Sequence, residues 1–240
     1  MDQRFYEKNG YWIEEGVFSD AECSRLIDAS TRLENYVNGT YRPMMMPHRV
    51  NALYLEAMRN PKIVASIARA VGGRPVGLQT EFFYCKPGTR GFSLHQDNFF
   101  VEAAPGVFAS AWCALTDTYA EKGGLIVYPG THKEGLLPQR KLLLGKDIGQ
   151  DPNANNEETL VPGHYEPLNV RVPRGAALYI DSHLVHGSNP NQTQEWRHVL
   201  LNTYIREGES FRAGRYAQRA PVPLFAEGGT HSMELAGGLR

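Results

Sequence analysis

His95 and Asp97, one residue apart, and His186 far downstream supply two imidazoles and a carboxylate. Those donors form the set that holds a non-haem ferrous ion on one face and leaves the opposite face open for oxygen chemistry. Ser188 and Arg197 follow the second histidine. A guanidinium grips a carboxylate through paired hydrogen bonds. Fe²⁺ with two neutral imidazoles and one carboxylate carries about +1. A small dianion, one end on the metal and the other on Arg197, is matched to this set.

Singly, each residue has a plainer reading: a coincidental H-x-D, a hydrogen-bonded histidine, an exposed strand arginine. The ordered combination on β-type sequence is what carries the argument. Ligand type alone does not fix the metal. A zinc or manganese hydrolase or isomerase, and a non-catalytic barrel that only binds a metabolite, therefore remain as alternatives to an oxygenase. His48, His132, His164, His198 and His231 lack a partner at ligand spacing. His183, three residues before His186, turns to the opposite face of a strand.

The elements must bring these groups together. On a strand, His95 and Asp97 project to one face and Gln96 to the other. The run Leu184–His186 precedes the turn-forming Asn189-Pro190-Asn191-Gln192-Thr193. An antiparallel hairpin centred there sets His186 opposite Arg197, with Ser188 on the same face.

Helices are expected first along the chain. Ser19-Asp20-Ala21-Glu22 is a capping box, and Asn60-Pro61 opens a second helix that stops at Gly72-Gly73. From Val76 the pattern becomes short β-rich runs: 78–84, 108–115, 125–128, 168–172, 176–180, 184–186 and 199–205. The fold class is mainly β, a sandwich or barrel with flanking helices. One domain over 1–240 is expected, with a helical part at about 18–73 and a barrel at about 76–206. The polar stretch within 137–165 reads as a lid or an insert, and the tail after Phe211 as irregular surface chain.

Composition narrows the function classes. The chain has 240 residues and a formal net charge of −1, with no broad basic field for nucleic acid or anionic membrane. No apolar run is long enough to span a bilayer, and the first residues do not resemble a secretory signal. Cys23, Cys85 and Cys113 form no C-x-x-C pair. Free thiols in a reducing, cytoplasmic compartment are the expectation.

Several stretches resemble the phytanoyl-CoA dioxygenase family of Fe(II)- and 2-oxoglutarate-dependent oxygenases. They are Phe82-Phe83-Tyr84-Cys85-Lys86-Pro87-Gly88, Leu94-His95-Gln96-Asp97-Asn98-Phe99, Ala111-Trp112-Cys113-Ala114-Leu115, the Gly123–Lys133 segment, and His186-Gly187-Ser188 with Arg197. Gly10-Tyr11-Trp12-Ile13 and Phe18–Glu22 match the family's opening, so the resemblance spans roughly residues 8–206.

It implies a double-stranded β-helix (a jelly-roll barrel) with helices buttressing one sheet. It implies His95, Asp97 and His186 as the iron triad, and Arg197 and Ser188 on the distal carboxylate of 2-oxoglutarate. Lys86 would approach that cosubstrate's other carboxylate, and Gln79 and Trp112 would line the site. With O₂, such a protein hydroxylates a small organic substrate and releases succinate and CO₂. Asp97 favours hydroxylation, because related halogenases carry a small residue there. No dense basic patch marks a coenzyme A site. Arg42, Arg49, Arg90 and Lys133 read as surface residues, and Met44–Met46 with His48 and Arg49 as core or substrate rim. Segments 40–50 and 137–165 are the candidate closing loops.

Overall fold

The computed structural model describes residues 1–142 and 157–225. The chain runs α1 (Gln3–Asn9), β1 (Tyr11–Glu14), α2 (Asp20–Ser30), α3 (Glu34–Val37), β2 (Met44–Met45), α4 (Ala52–Met58), α5 (Pro61–Ala70) and β3 (Pro75–Cys85). It continues through α6 (Asn98–Val101), β4 (Phe108–Ala114), β5 (Leu125–Val127), β6 (Gln139–Lys141), β7 (Glu157–Thr159), β8 (Leu168–Asn169), β9 (Ala177–Asp181), β10 (His186–Ser188) and β11 (Arg197–Arg206).

The helix signals act as expected. The Ser19 backbone N–H and hydroxyl donate to the Glu22 carboxylate, each at 2.7 Å, and the Ser19 hydroxyl accepts from the Glu22 N–H at 3.3 Å. These bonds satisfy donors that a helix start leaves open. Asn60 caps α5 through its side-chain oxygen, and Gly72 beyond the last turn takes the left-handed conformation at φ 65°. Helices α1 and α4 were not anticipated; Asp2 and Asn51 cap them.

Two antiparallel sheets face one another. Six strands pair in the order β1-β9-β4-β11-β3-β2, and three in the order β10-β5-β8. Strands β6 and β7 form a separate hairpin. This is the double-stranded β-helix expected from the resemblance.

Strand alternation divides the large sheet's side chains. Phe82, Tyr84, Tyr179, Leu200 and Tyr204 pack outward against Leu26, Tyr54, Met58, Ile63 and Ile67 of the helices. Phe83, Trp112, Leu178, Ile180 and Val199 point into the barrel against Leu125, Val127, Val172 and Leu184. The two buried faces explain why these strands are so continuously apolar. Two of the buried phenols donate to helix carbonyls: Tyr204 to Met58 at 2.9 Å and Tyr54 to Leu26 at 3.1 Å. Burial pushes both hydroxyls upward from their ordinary pKa, so both stay neutral donors.

Three expectations are corrected. His95 and Asp97 do not share a strand: His95 forms a single bridge with His186, and Asp97 is already helical at the start of α6. His186 does not face Arg197 in a hairpin. His186 pairs with Val127 in the small sheet and Arg197 with Cys85 in the large one. The turn between them crosses between sheets because Asn191 and Gln192 bond to Thr89 and Glu121 rather than to each other. The tail after Phe211 is not merely surface chain, since residues 212–219 close one wall of the central cavity. The centre of the 137–165 segment, 143–156, lies outside the described residues.

Candidate active site

The two sheets enclose a cavity of about 890 Å³ lined by His95, Asp97, His186, Ser188 and Arg197. Among the described residues, His95, Asp97 and His186 are the group whose donor atoms could share a metal ion, all within 4.8 Å of one another. Asp97 Oδ1 is 3.6 Å from His95 Nε2 and 3.7 Å from His186 Nε2.

Backbone geometry sets this convergence. His95 N–H donates to the His186 carbonyl at 2.8 Å, and His186 N–H to the His95 carbonyl at 3.0 Å. The rings stand 4.3 Å apart. After His95 the chain turns into α6, which brings Asp97 back beneath both imidazoles. Gln96 points away, donating to the Gly135 and His183 carbonyls and accepting from Leu137 N–H. It braces the turn.

The donors are oriented for a cation. Nδ1 of His95 lies 2.8 Å from the Ser93 carbonyl, and Nδ1 of His186 lies 3.0 Å from the Leu184 carbonyl. A carbonyl only accepts, so the proton sits on Nδ1 and each Nε2 presents a lone pair toward Asp97. Burial, then the neighbouring His186, pushes the His95 imidazole down to about 4. The neutral form that ligates a metal is therefore the resting one. Ser110 donates to Asp97 Oδ2 at 2.6 Å and leaves Oδ1 aimed at the imidazoles. The donor set and its supports fit a divalent ion such as Fe(II).

Arg197 lies across the same cavity and is 2% exposed. Its guanidinium donates to the Gly123 carbonyl, and to Cys85 Sγ at 2.7 Å. It lies 5.5 Å from the Trp112 ring centre, which gives the cation a fixed face to rest on. Its Nε has no partner, and no carboxylate among the described residues reaches salt-bridge distance. Ser188 accepts from Phe92 N–H at 2.9 Å, which leaves its own proton available.

Gln79 and Trp112 also line the cavity, whereas Lys86 does not. Lys86 is exposed and lies over the Tyr41 ring at 5.2 Å. The parity of β3 explains this: 79, 81, 83 and 85 face inward, and Lys86 continues the outward series of Phe82 and Tyr84. The same parity points to Glu81, which lines the cavity and was not singled out from sequence. Ser110, Thr203 and Arg219 were likewise missed. Met45 of the 40–50 segment and Lys141, Leu142 and Glu157 of the 137–165 segment reach the rim. His183 bonds to Ser182 and Asn98, away from the triad.

Fold and site together define the class: a jelly-roll barrel of the kind used by non-haem oxygenases that take 2-oxoglutarate. The chain belongs to the phytanoyl-CoA dioxygenase (PhyH) family, whose profile matches residues 6–199. It is 29% identical over 182 residues to a phytanoyl-CoA dioxygenase of Arabidopsis thaliana, an alignment covering 73% of this chain and 61% of that protein. It is 28% identical over 247 residues to an ectoine dioxygenase of Nocardia farcinica, covering 92% of this chain and 82% of that one. In fold it is similar to EvdO2 from Micromonospora carbonacea var. aurantiaca complexed with 2-oxoglutarate, with a TM-score of 0.73, 16% identity, and 93% and 94% of the two chains covered.

Proposed function

We propose that this protein is an Fe(II)- and 2-oxoglutarate-dependent dioxygenase that hydroxylates a small organic substrate and releases succinate and CO₂. One observation carries the reading. A buried guanidinium with an orphaned Nε and, among the described residues, no carboxylate partner shares its cavity with two imidazoles and an oriented carboxylate. An uncompensated buried cation is costly. A diacid chelating a metal at one end and meeting Arg197 at the other removes that cost.

His95 Nε2, His186 Nε2 and Asp97 Oδ1 would hold the iron, which when loaded supplies oxygen activation coupled to decarboxylation of the keto acid. The protein's own part is binding and positioning. Arg197 and Ser188 take the distal carboxylate, and Trp112 keeps the guanidinium flat beneath it. Phe83, Phe92 and Leu125 line this part of the cavity and exclude water. Lys86 has no role here, because its strand parity turns it outward. No described helix is long and apolar enough to cross a membrane. The three free cysteines suit a reducing, cytoplasmic setting.

The test is an anaerobic titration of the protein with Fe(II) and 2-oxoglutarate, followed in visible light, and then a succinate-release screen. A charge-transfer band that saturates near one equivalent supports the reading. Metal binding with no such band, or 2-oxoglutarate binding with no turnover across the screen, favours a non-oxidative metalloenzyme or a binding barrel.

A further inference from the structure

Asp97 is tied to a helix whose far end is held from a distant part of the chain. It is the N-cap of α6 and spends no side-chain bond on that helix. Its backbone carbonyl accepts from Phe100 N–H at 3.1 Å. The carboxylate that faces the two imidazoles therefore moves with this single turn of helix, about 6 Å long.

A helix of four residues cannot satisfy its own last carbonyls. The Asn98 carbonyl accepts from Glu102 N–H at 2.8 Å. The other three are taken by the 212–219 segment. Arg212 donates from Nη2 to the Phe99 carbonyl at 2.8 Å and from Nε to the Phe100 carbonyl at 3.2 Å. Its backbone N–H reaches the Val101 carbonyl at 2.6 Å. Arg219 Nη1 adds a second bond to the Phe100 carbonyl at 3.1 Å, and one to the Arg212 carbonyl at 3.3 Å. Two cations at a helix C-terminus also suit its dipole. Arg212 pairs with Glu102 as well, at 2.7 Å, but these side chains are 45% and 56% exposed and solvent screens the pair. The carbonyl bonds are what fix the end of α6.

The same segment is anchored to the large sheet. Arg219 Nε donates to Gln79 Oε1 of β3 at 2.8 Å, and Gln79 Nε2 donates to Glu81 at 3.2 Å. Arg219 thus joins a rigid strand to the Phe100 carbonyl, and Phe100 in turn holds Asp97. Gly214 to Ala217, between the two arginines, line the cavity.

We propose that Arg212 and Arg219 are positioning residues for the metal: through the α6 carbonyls they keep Asp97 beneath the two imidazoles. Neither touches the triad itself. The inference rests on the metal site of the dioxygenase reading. It adds a determinant that lies beyond residues 6–199, the part matched by the family profile.

The experiment uses the full chain under anaerobic conditions. Fe(II) affinity is read by competition with a chromophoric chelator, the charge-transfer band is recorded with saturating 2-oxoglutarate, and metal-free stability is read by urea unfolding. Arg212→Met and Arg219→Met should each weaken Fe(II) binding roughly tenfold, at the low end for residues that orient a ligand, and should shift the band maximum. Arg212→Lys should fall between, because one ammonium cannot span two carbonyls as the guanidinium fork does. Arg74→Met, which removes an exposed pair with Glu207, should keep the parent's affinity and band.

A parental Fe(II) midpoint in the methionine variants overturns the proposal, and lower stability alone would assign these bonds to packing. Weaker binding with an unmoved band, or an equal loss in Arg74→Met, overturns it too. Should a methionine variant fail to unfold cooperatively, Arg212→Lys decides, and a parental midpoint there has the same force. Any of these with a parent that binds Fe(II) and shows the band removes the positioning role alone. A parent that binds no Fe(II) removes the dioxygenase reading as well.

Discussion

His95 and His186 exchange both backbone hydrogen bonds across a single bridge, at 2.8 and 3.0 Å, although 90 residues separate them in the chain. The same two bonds that join the segments fix the distance between the imidazoles, so the spacing of these two donors is set by the backbone. Asp97 is the adjustable third member, oriented by Ser110. Asp97→Ala should abolish Fe(II) binding and succinate release while changing metal-free stability by no more than about 1–2 kcal/mol, since it removes a hydrogen bond and not a packing element. Ser110→Ala should weaken metal affinity by roughly 10–100-fold without abolishing it. Metal titration alongside denaturant unfolding checks both; an Asp97→Ala protein that still binds Fe(II) and turns over would exclude this residue as a ligand.

Arg197 is held by the Gly123 carbonyl, Cys85 and the Trp112 face before any ligand arrives. Pre-organisation of this kind makes the lost contact expensive. Arg197→Ala should reduce 2-oxoglutarate affinity by roughly 2–5 kcal/mol. Arg197→Lys should recover only part of it, because an ammonium cannot reproduce the paired geometry. Anaerobic titration of the charge-transfer band reads the affinity. An unchanged midpoint in the alanine variant would separate Arg197 from the cosubstrate.

Local signals in the sequence were reliable where the physics is local. The capping box at Ser19 and the Asn60-Pro61 start describe helices that need no tertiary contact to be recognised. The β-runs were legible because burial on both faces makes them apolar. Pairing was not, because a jelly roll sends successive strands to different sheets. His186 and Arg197 lie together across the barrel, but not through the hairpin that their spacing suggested. Lys86, by contrast, could have been set aside from the parity of Phe82 and Tyr84, and Glu81 found by the same count. The contribution of Arg219 had no sequence signal: it depends on an irregular segment folding back onto Gln79.

The fold should also lose stability in mild acid. Burial, then Arg49, pushes His48 down to about 4, and burial, then Arg197, does the same to His198. Above the ordinary value of 6.5 both are neutral, folded or unfolded. As pH falls from 6.5 toward 4, only the unfolded chain takes up these protons, so stability drops with pH and levels off below about 4. Each unit of separation is worth about 1.4 kcal/mol. Without metal, His95 adds to the same trend. Urea midpoints between pH 7.5 and 4.5 should fall in the parent protein and fall less steeply in His198→Gln. Parallel slopes would mean that His198 is protonated equally in both states.

Gly91 offers a test of how tightly the Ser188 corner is built. A Cβ there would sit 1.8 Å from the Ser188 carbonyl oxygen and 2.8 Å from the carbonyl carbon of Asn189, both backbone atoms that cannot step aside. The close approach lets Phe92 N–H reach the Ser188 hydroxyl and the Phe92 carbonyl accept from Ser188 N–H at 3.1 Å. Gly88, nearby in the same loop at φ 78°, has open space around it. Gly88→Ala should therefore cost only the left-handed strain of about 1–2 kcal/mol and leave the cosubstrate site alone. Gly91→Ala should cost more, about 2–4 kcal/mol, and should also weaken 2-oxoglutarate binding by displacing Ser188. Denaturant unfolding and cosubstrate titration of the two variants give the comparison. Equal behaviour of the pair would show that the Gly91 contact relaxes freely and that Ser188 does not depend on it.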